Sequence, residues 1–300
     1  MDLNLTAPST VAKILAKHGV RPRKSLGQNF LIDRNVLDRI VSAADLTRDD
    51  LVLEIGAGIG VLTRALSAAA GRVVSVEVDP VMLSILSETT ADLSNVRIVP
   101  ADVLKLDLAQ LLAEEGTRPA KVVANLPYCI TTPAITKLLS LRPPTVEPAS
   151  PSLISTIVLL VQKEVALRLA APPASEHYGS LSVLVQYHCD VEVVSLVSRR
   201  VFLPAPKVDS AIVRLLVRRQ PAVAVRNERL FFSIVRAAFG QRRKTLLNAL
   251  SALPALGQDK AVVGQVLSRA GIAHSRRGET LSLAEFAAIA HAADEVRSAG

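Results

Sequence analysis

Short apolar segments alternate with helical segments from residue 51 to residue 161, and this alternation restricts the possible folds more than any other feature of the sequence. Five segments have the length and aliphatic composition of buried strands: Leu51–Ile55, Val73–Val76, Val96–Val99, Lys121–Ala124 and Ser155–Val161. Strands that are apolar on both faces are typical of a parallel sheet that helices cover on both sides. The sequence therefore predicts an α/β fold with a mostly parallel, Rossmann-like sheet.

The pattern changes in the second half of the chain. Val191–Val197 and Ser210–Val217 have the composition of strands, and the prolines of Phe202–Pro206 between them exclude a continuous helix. We expect these two strands to form an antiparallel end to a seven-stranded sheet. After Pro221 the strand signals stop, and four helical segments predict a small all-α C-terminal domain: Glu228–Phe239, Arg243–Leu250, Lys260–Arg269 and Leu283–Ala293.

The N-terminal region differs from both of these parts. Its first 30 residues are polar and basic, with few periodic apolar positions, and they predict an arm. Asp33 then has the position of an N-cap for a helix that contains Val36 and Ile40. The sequence thus predicts three parts: a basic arm over residues 1–30, an α/β domain over 31–219 and a helical domain over 220–300.

The net charge of +8 is distributed unevenly along the chain. Between Arg199 and Leu250 there are twelve Lys and Arg residues but only two acidic residues, Asp209 and Glu228. For any single cation, a solvated surface position is the simpler explanation. A dense cationic stretch in an otherwise balanced chain nevertheless favours a polyanionic partner.

Other features of the sequence exclude whole classes of protein. The two cysteines, Cys129 and Cys189, are too few for a disulfide framework or a cysteine-rich zinc site, and they suit a reducing compartment. No uncharged apolar run is long enough to cross a bilayer, and residues 1–20 lack the pattern of a secretory signal. We therefore expect a cytoplasmic protein without a membrane partner.

Glycines and carboxylates follow three successive predicted strands. Gly56, Gly58 and Gly60 come after the first strand, Glu77 ends the second, and Asp102 follows the third. These strand ends meet at one edge of a parallel sheet, where Glu77 can accept hydrogen bonds from ribose hydroxyls and Asp102 can meet an adenine edge. The set predicts a nucleoside cofactor. The dinucleotide fingerprint places its third glycine one position after Gly60, so the spacing favours S-adenosylmethionine over NAD.

The fourth predicted strand ends in Asn125, Leu126, Pro127 and Tyr128. The Asn125 side-chain oxygen and a backbone carbonyl in this turn can accept hydrogen bonds from the exocyclic amine of a base. Tyr128 can stack on a base that has been turned out of its helix. Neither a strong base nor a metal is required, because the amine proton leaves after methyl transfer. We interpret these four residues as a catalytic motif for methylation of an amine on a base.

Together these segments resemble the motifs of the ribosomal RNA adenine N6-dimethyltransferases, the family of the small-subunit dimethyladenosine transferases. The resemblance covers about residues 20–290 and rests on Lys24–Leu31, Glu54–Gly60, Glu77, Asp102, Asn125–Tyr128, Phe202–Ser210 and Phe239–Leu246. One position departs from the family pattern, because Cys129 stands where its members usually have Asn. We interpret Cys129 as a buried small apolar residue rather than a redox switch.

The resemblance implies a class I methyltransferase fold and S-adenosylmethionine as the cofactor. In the family the first motif folds over the methionine end of the cofactor, which implicates Gln28, Asn29 and Leu31. The late motif supplies an aromatic ring to the second face of the target base, and this ring would be Phe202.

The resemblance also implies a substrate, which is a pair of adjacent adenines in a hairpin loop near the 3′ end of small-subunit (16S) rRNA. The implied partner is an immature 30S subunit, and we expect the protein to act as a monomer. The basic stretch would hold RNA phosphates, with four cations as the best candidates: Arg236, Arg242, Arg243 and Lys244.

Three other functions stay open at this point. The chain could methylate a single adenine of large-subunit rRNA, it could be an NAD-dependent oxidoreductase, or it could act without catalysis as a ribosome assembly factor. The spacing at Gly60 and the motif that begins at Asn125 argue against the oxidoreductase. His177 and His188 have no partners at useful spacing, so we interpret both as structural or surface residues.

Overall fold

The computed structural model describes residues 4–20, 29–116, 118–127, 130–141 and 152–299. It divides the chain into two units. The first consists of Met1–Ala166 and Asp190–Arg219, and the second of Leu167–Cys189 and Gln220–Gly300. None of the helices in the described part of the chain combines the length and apolar composition that a membrane span requires.

A seven-stranded sheet forms the centre of the first unit. In chain order the structure contains nine strands within the described residues: β1 Phe30–Leu31, β2 Leu51–Ile55, β3 Arg72–Glu77, β4 Val96–Pro100, β5 Ala120–Asn125, β6 Ile154–Gln162, β7 Cys189–Val197, β8 Phe202–Leu203 and β9 Ser210–Val217. The order across the large sheet is β4-β3-β2-β5-β6-β9-β7. From β4 to β6 the strands are parallel, and β9 pairs antiparallel to β6. The predicted α/β fold and its antiparallel end are confirmed.

Helices connect these strands, and their sequences begin them with recognisable caps. The helices that start in the first unit are α1 Pro8–Lys17, α2 Arg34–Ala43, α3 Val61–Ala69, α4 Pro80–Thr89, α5 Leu108–Glu115, α6 Thr131–Ser140 and α7 Lys163–Ala170. Asp33 caps α2 by accepting the N–H of Val36, as predicted. Asp79 caps α4, where Pro80 occupies a first-turn position that needs no donor. Helix α5 begins after the cap Asp107, whose side chain accepts the N–H of Gln110.

The N-terminal region is more ordered than the predicted arm. Helix α1 buries Val11 and Leu15, which are four residues apart and share one face, in the hydrophobic core of the first unit. Lys17 Nζ and His18 Nε2 lie 2.6 and 3.0 Å from the Glu88 carboxylate on α4. The expectation of an arm was wrong for residues 8–17, because Val11, Ile14 and Leu15 have helical spacing and pack on the core of the first unit.

Apart from Cys189, which begins β7, the described residues of the second unit form helices and the turns and loops between them. It contains α8 Ser180–His188, α9 Glu228–Gly240, α10 Leu246–Leu250, α11 Lys260–Arg269 and α12 Leu283–Ala299. Helices α7 and α8 have no counterpart among the predicted elements. Residues 167–189 belong to the second unit, not to the α/β domain predicted over residues 31–219. The reason is packing: Tyr178 and Tyr187 are fully buried in the same core as Phe231 and Phe286.

Candidate active site

A cavity of about 370 Å³ opens at the carboxyl edge of the parallel strands. Its lining comes from the ends of β2, β3 and β5, from the residues after β4, and from β1 and β8. Ten of the predicted site residues line it: Asn29, Leu31, Gly56, Gly58, Glu77, Asp102, Asn125, Leu126, Pro127 and Phe202. Gln28 and Tyr128, like Cys129, lie outside the described residues.

The glycine turn after β2 forms the floor of this cavity. Gly60 has φ +84°, and a Cβ built there would stand 2.8 Å from Thr89 Oγ1 and 3.1 Å from Leu86 Cδ1. Gly60 also precedes the first residue of α3, so any side chain would strain both the turn and the packing against α4. At Gly56, φ is +75°, and a built Cβ would be in ordinary contact with the Pro127 ring at 3.5 Å. The backbone conformation therefore favours glycine at both positions, and the close packing against α4 adds to this at Gly60.

Glu77, at the end of β3, is held by the backbone around it. Its Oε2 accepts the N–H of Gly58 at 2.8 Å, and its Oε1 accepts the N–H groups of Val78 and Asp79 at 2.8 and 2.9 Å. A carboxylate has about four acceptor positions, so roughly one is left for a ligand. Glu77 thus has a role that the sequence did not reveal, since it fastens the glycine turn to β3 while facing the cavity.

Asp102 is fixed less tightly. Its Oδ1 accepts the N–H of Leu104 at 2.9 Å, and Lys105 Nζ lies 3.7 Å from Oδ2. The preceding residue, Ala101, donates its N–H to the Glu77 carbonyl at 2.9 Å. The two acidic residues are consequently held next to each other at the ends of neighbouring strands, where one nucleoside can contact both.

Glu54, inside β2, is a fully buried acidic residue for which the sequence predicts no individual role. Thr63 Oγ1 and Ser75 Oγ donate to its Oε2 at 2.7 and 2.6 Å, and Oε1 has no hydrogen-bond partner within the described residues. Burial raises the pKa of this carboxyl to about 7, although the two hydroxyls act in the opposite direction. The signal in the sequence was an acidic residue within an apolar strand.

Asn125 ends β5 and faces the cavity beside the glycine turn. Its Nδ2 is 3.5 Å from the Asn29 carbonyl, a contact at the limit of a hydrogen bond. The Pro127 carbonyl accepts the N–H of Ile130 at 3.1 Å and the Thr131 hydroxyl at 3.3 Å, which begins α6. Hydrogen bonds to the Pro127 carbonyl therefore help to fix the segment that follows β5. The Asn125 side-chain oxygen accepts no hydrogen bond from the described residues.

Phe202 reaches the cavity through a small antiparallel ribbon. Strand β8 pairs with β1, with Phe30 opposite Leu203 and Leu31 opposite Phe202. The Ile32 N–H extends the pairing to the Val201 carbonyl at 2.8 Å. The first and late motifs, distant in sequence, are thus joined at the cavity, and Phe202 is almost fully buried there.

Comparison with known protein families identifies the family of this chain. A family described as "Ribosomal RNA adenine dimethylase" matches residues 19–289. The chain belongs to this family. Ribosomal RNA small subunit methyltransferase A of Pelotomaculum thermopropionicum is 49% identical over 95% of this chain and 96% of that protein. The protein of the same name from Geobacillus thermodenitrificans is 48% identical, with coverage of 97% and 98%.

Two solved structures support the same assignment. A dimethyladenosine transferase from Plasmodium falciparum is 27% identical, with a TM-score of 0.75 over 89% of this chain and 98% of that one. The 23S rRNA methyltransferase ErmE is 28% identical, with a TM-score of 0.63 over 89% and 100% of the two chains. The predicted resemblance and the methyltransferase activity are confirmed.

The four basic residues that are predicted to bind RNA in this dimethylase differ in their side-chain contacts. Arg236, Arg243 and Lys244 are exposed in the second unit, and their side chains form no hydrogen bond or ion pair with other described residues. Arg242 instead directs its guanidinium to the Tyr178 and Glu176 carbonyls at 3.2 and 3.4 Å, and to the Glu279 carboxylate at 3.5 Å. Arg242 therefore helps to hold the helical unit together.

Proposed function

We propose that this dimethylase transfers two methyl groups to N6 of each of two adjacent adenines in a hairpin loop near the 3′ end of small-subunit rRNA. The observation that supports this best is the single cavity, in which Asn125 and Phe202 stand beside the glycine turn, Glu77 and Asp102. The residues proposed to bind the base and those proposed to bind the nucleoside thus line the same cavity. The names of the relatives that are 45–49% identical support the choice of the small subunit.

S-adenosylmethionine fits the cavity as the methyl donor. A volume of about 370 Å³ lies within the roughly 300–1,000 Å³ of small-molecule sites. Glu77 would accept a ribose hydroxyl at its remaining acceptor position, Asp102 would accept from the adenine amine, and Asn29 and Leu31 would line the methionine end. When bound, the cofactor supplies an electrophilic methyl group on a sulfonium.

The chain's own residues would prepare the target nitrogen. Asn125 Oδ1 accepts a hydrogen bond from the N6 amine, and a backbone carbonyl of the turn accepts the other. The Pro127 carbonyl already has two donors, so the Leu126 carbonyl is the better second acceptor. These bonds would hold N6 and direct its lone pair out of the ring plane, while Phe202 and Tyr128 enclose the base between two aromatic rings.

The helical unit would supply most of the electrostatic attraction for RNA. Arg236, Arg243 and Lys244 are exposed and free to approach phosphates, so binding should weaken steeply as salt rises. A loop substrate suits such an enzyme, since an unpaired adenine costs less to extrude than a paired one. The partner would be an immature small subunit in the cytoplasm, bound by one copy of the chain.

Methylation of one adenine in large-subunit rRNA is the second candidate, and the similarity to ErmE is the observation that favours it. That similarity, 28%, is well below the 49% shared with a small-subunit methyltransferase. The lower identity makes this the weaker proposal.

The deciding experiment offers labelled S-adenosylmethionine and the purified full chain to undermethylated small subunits and to large-subunit rRNA. The digested RNA is then analysed by nucleoside mass spectrometry. We expect dimethyladenosine at two adjacent loop adenines of the small subunit. Label confined to large-subunit rRNA would support the second candidate, and no label in either RNA would refute both.

A further inference from the structure

The segment that holds Phe202 at the cavity is also rich in cations. Residues 198–209 connect β7 to β9, and we call them the Phe202 connection. It contains Arg199, Arg200 and Lys207 but one acidic residue, Asp209. All four are exposed, while Phe202 is buried between them. A strongly basic surface therefore borders the wall of the cavity that would receive the base.

Hydrogen bonds fix the shape of this connection. The Arg199 N–H donates to Asp209 Oδ1 at 3.0 Å, and Arg199 Nη1 donates to the Lys207 carbonyl at 3.0 Å. The Arg200 N–H donates to Ser198 Oγ at 3.3 Å, and Val201 is tied to Ile32 as described above. Arg200 is two residues before Phe202, so their Cα atoms are at most about 7.6 Å apart.

The cations near this connection differ in whether they are neutralised. On the adjoining strand β9, Arg214 pairs with Glu192 of β7 at 2.6 Å. The Arg199 guanidinium donates one N–H to the Lys207 carbonyl, and Asp209 Oδ1 accepts the backbone N–H of Arg199. Within the described residues, the side chains of Arg200 and Lys207 have neither an ion pair nor a hydrogen bond. Within the Phe202 connection, the cations whose charged groups remain available are therefore Arg200 and Lys207.

We infer that Arg200, assisted by Lys207, binds the RNA phosphates that flank the adenine held by Phe202. This inference rests on the proposed function. A base that enters the cavity brings its own phosphodiester to the mouth, where an unpaired guanidinium on a fixed backbone can bind it with little loss of freedom. The contact would position the target strand at the methyltransferase unit itself, in addition to the attraction from the helical unit.

The test compares Arg200→Gln, Arg200→Lys and Arg118→Gln in the full chain. Arg118 is an exposed guanidinium of the same unit that precedes β5, at the opposite edge of the sheet from the cavity. The measurements are the salt dependence of binding to a 3′-terminal fragment of small-subunit rRNA, KM and kcat for its methylation, and the Kd for S-adenosylmethionine. Thermal unfolding checks that each variant is folded.

For Arg200→Gln we expect the slope of log K against log salt to fall by about 0.7–0.9, as for the loss of one phosphate contact. KM should rise about tenfold with little change in kcat and none in the cofactor Kd. Arg200→Lys should keep the slope, and Arg118→Gln should behave as wild type.

An Arg200→Gln variant with the slope and KM of Arg118→Gln would overturn the inference. So would a defect seen with intact subunits but not with the RNA fragment, because the contact would then be with a ribosomal protein. If the wild-type chain methylates no small-subunit RNA, the proposed function fails instead, and the binding slope still decides whether Arg200 contacts phosphate.

Discussion

The two units of this dimethylase use polar groups in opposite ways. In the first unit, carboxyls are buried and held by short hydrogen bonds, as Glu54 is by two hydroxyls and Glu77 by three backbone N–H groups. In the second unit, the core is aliphatic and aromatic, and cations such as Arg243 and Lys244 project from the surface. Fixed groups suit a reaction that needs exact positions of atoms, whereas mobile surface charges suit attraction to a polyanion. Changes to the fixed polar groups of the first unit should thus alter catalysis or cofactor binding, and changes to exposed cations should alter RNA binding.

The largest effect should come from Asn125→Ala. Its side-chain oxygen would act on the target amine chiefly in the transition state, so we expect kcat to fall by about 10²-fold or more. The Kd for S-adenosylmethionine should stay within about twofold of wild type. Single-turnover methylation and calorimetric titration of the cofactor test both statements, and a parallel loss of binding and rate would reject the role.

Glu77→Ala should mainly weaken cofactor binding. It removes a ribose acceptor and also leaves the N–H groups of Gly58, Val78 and Asp79 without their shared partner. We expect the cofactor Kd to rise at least about tenfold, together with a loss of stability of about 1–3 kcal/mol. Cofactor titration and urea unfolding measure the two effects.

Asp102→Ala gives the comparison for that prediction, since it removes only one backbone bond. We expect Asp102→Ala to weaken cofactor binding with a smaller loss of stability. Equal stability losses in the two variants would contradict the idea that Glu77 fastens the glycine turn.

Glu54 makes the stability of the first unit depend on pH. Its pKa is raised from 4.5 to about 7 by burial, so the unfolded chain loses this proton at lower pH than the folded chain. Between about pH 4.5 and pH 7 this group therefore lowers the free energy of unfolding, by a total of about 3 kcal/mol, and its contribution is constant above pH 7.

Glu54→Gln tests this dependence, because its amide oxygen can still accept the Thr63 and Ser75 hydroxyls. The variant should gain stability relative to wild type as pH rises from 5 to 7.5, measured by urea unfolding of both proteins at each pH. Carboxyls with lowered pKa, such as Glu115 beside Arg72, cancel in this difference. A constant difference across the range would refute the shifted pKa.

The smallest effects should separate two neighbouring arginines of the second unit. Arg242→Ala removes bonds to the Tyr178 and Glu176 carbonyls and should lower stability by up to about 1 kcal/mol. Arg243→Ala should leave stability unchanged and reduce the salt slope of RNA binding by about one contact. Thermal unfolding and salt-dependent binding of both variants would reveal the reverse assignment.

Sequence reasoning succeeded where burial dictates composition. The five parallel strands could be predicted to within about a residue at most ends, because strands covered on both faces must be aliphatic. Helix α1 could not be predicted, because Val11 and Leu15 form only a weak apolar periodicity within a polar segment. Helix α8 was also hidden, since its residues include several with high strand propensity.

The same limit applies to the site. Glycines, acidic residues and the motif after β5 marked the cavity, because their chemistry is visible in the residue types. The three hydrogen bonds that hold the Glu77 carboxylate could not be predicted from the sequence, since their donors are backbone N–H groups that the fold places. Nothing in the sequence distinguishes Arg242 from Arg243, because only packing decides which one turns inward.

The ribbon of β1 and β8 also sets an order of events in time. Leu31 and Phe202 are 171 positions apart, so the wall they form cannot exist until most of the chain has left the ribosome that makes it. Such a distant pairing is formed late in folding, because closing a long loop has a high entropic cost. With only two residues in each strand, it is also a weak point from which opening can begin. A nascent chain of this enzyme would thus have its glycine turn and Glu77 in place before it had anywhere to hold an adenine.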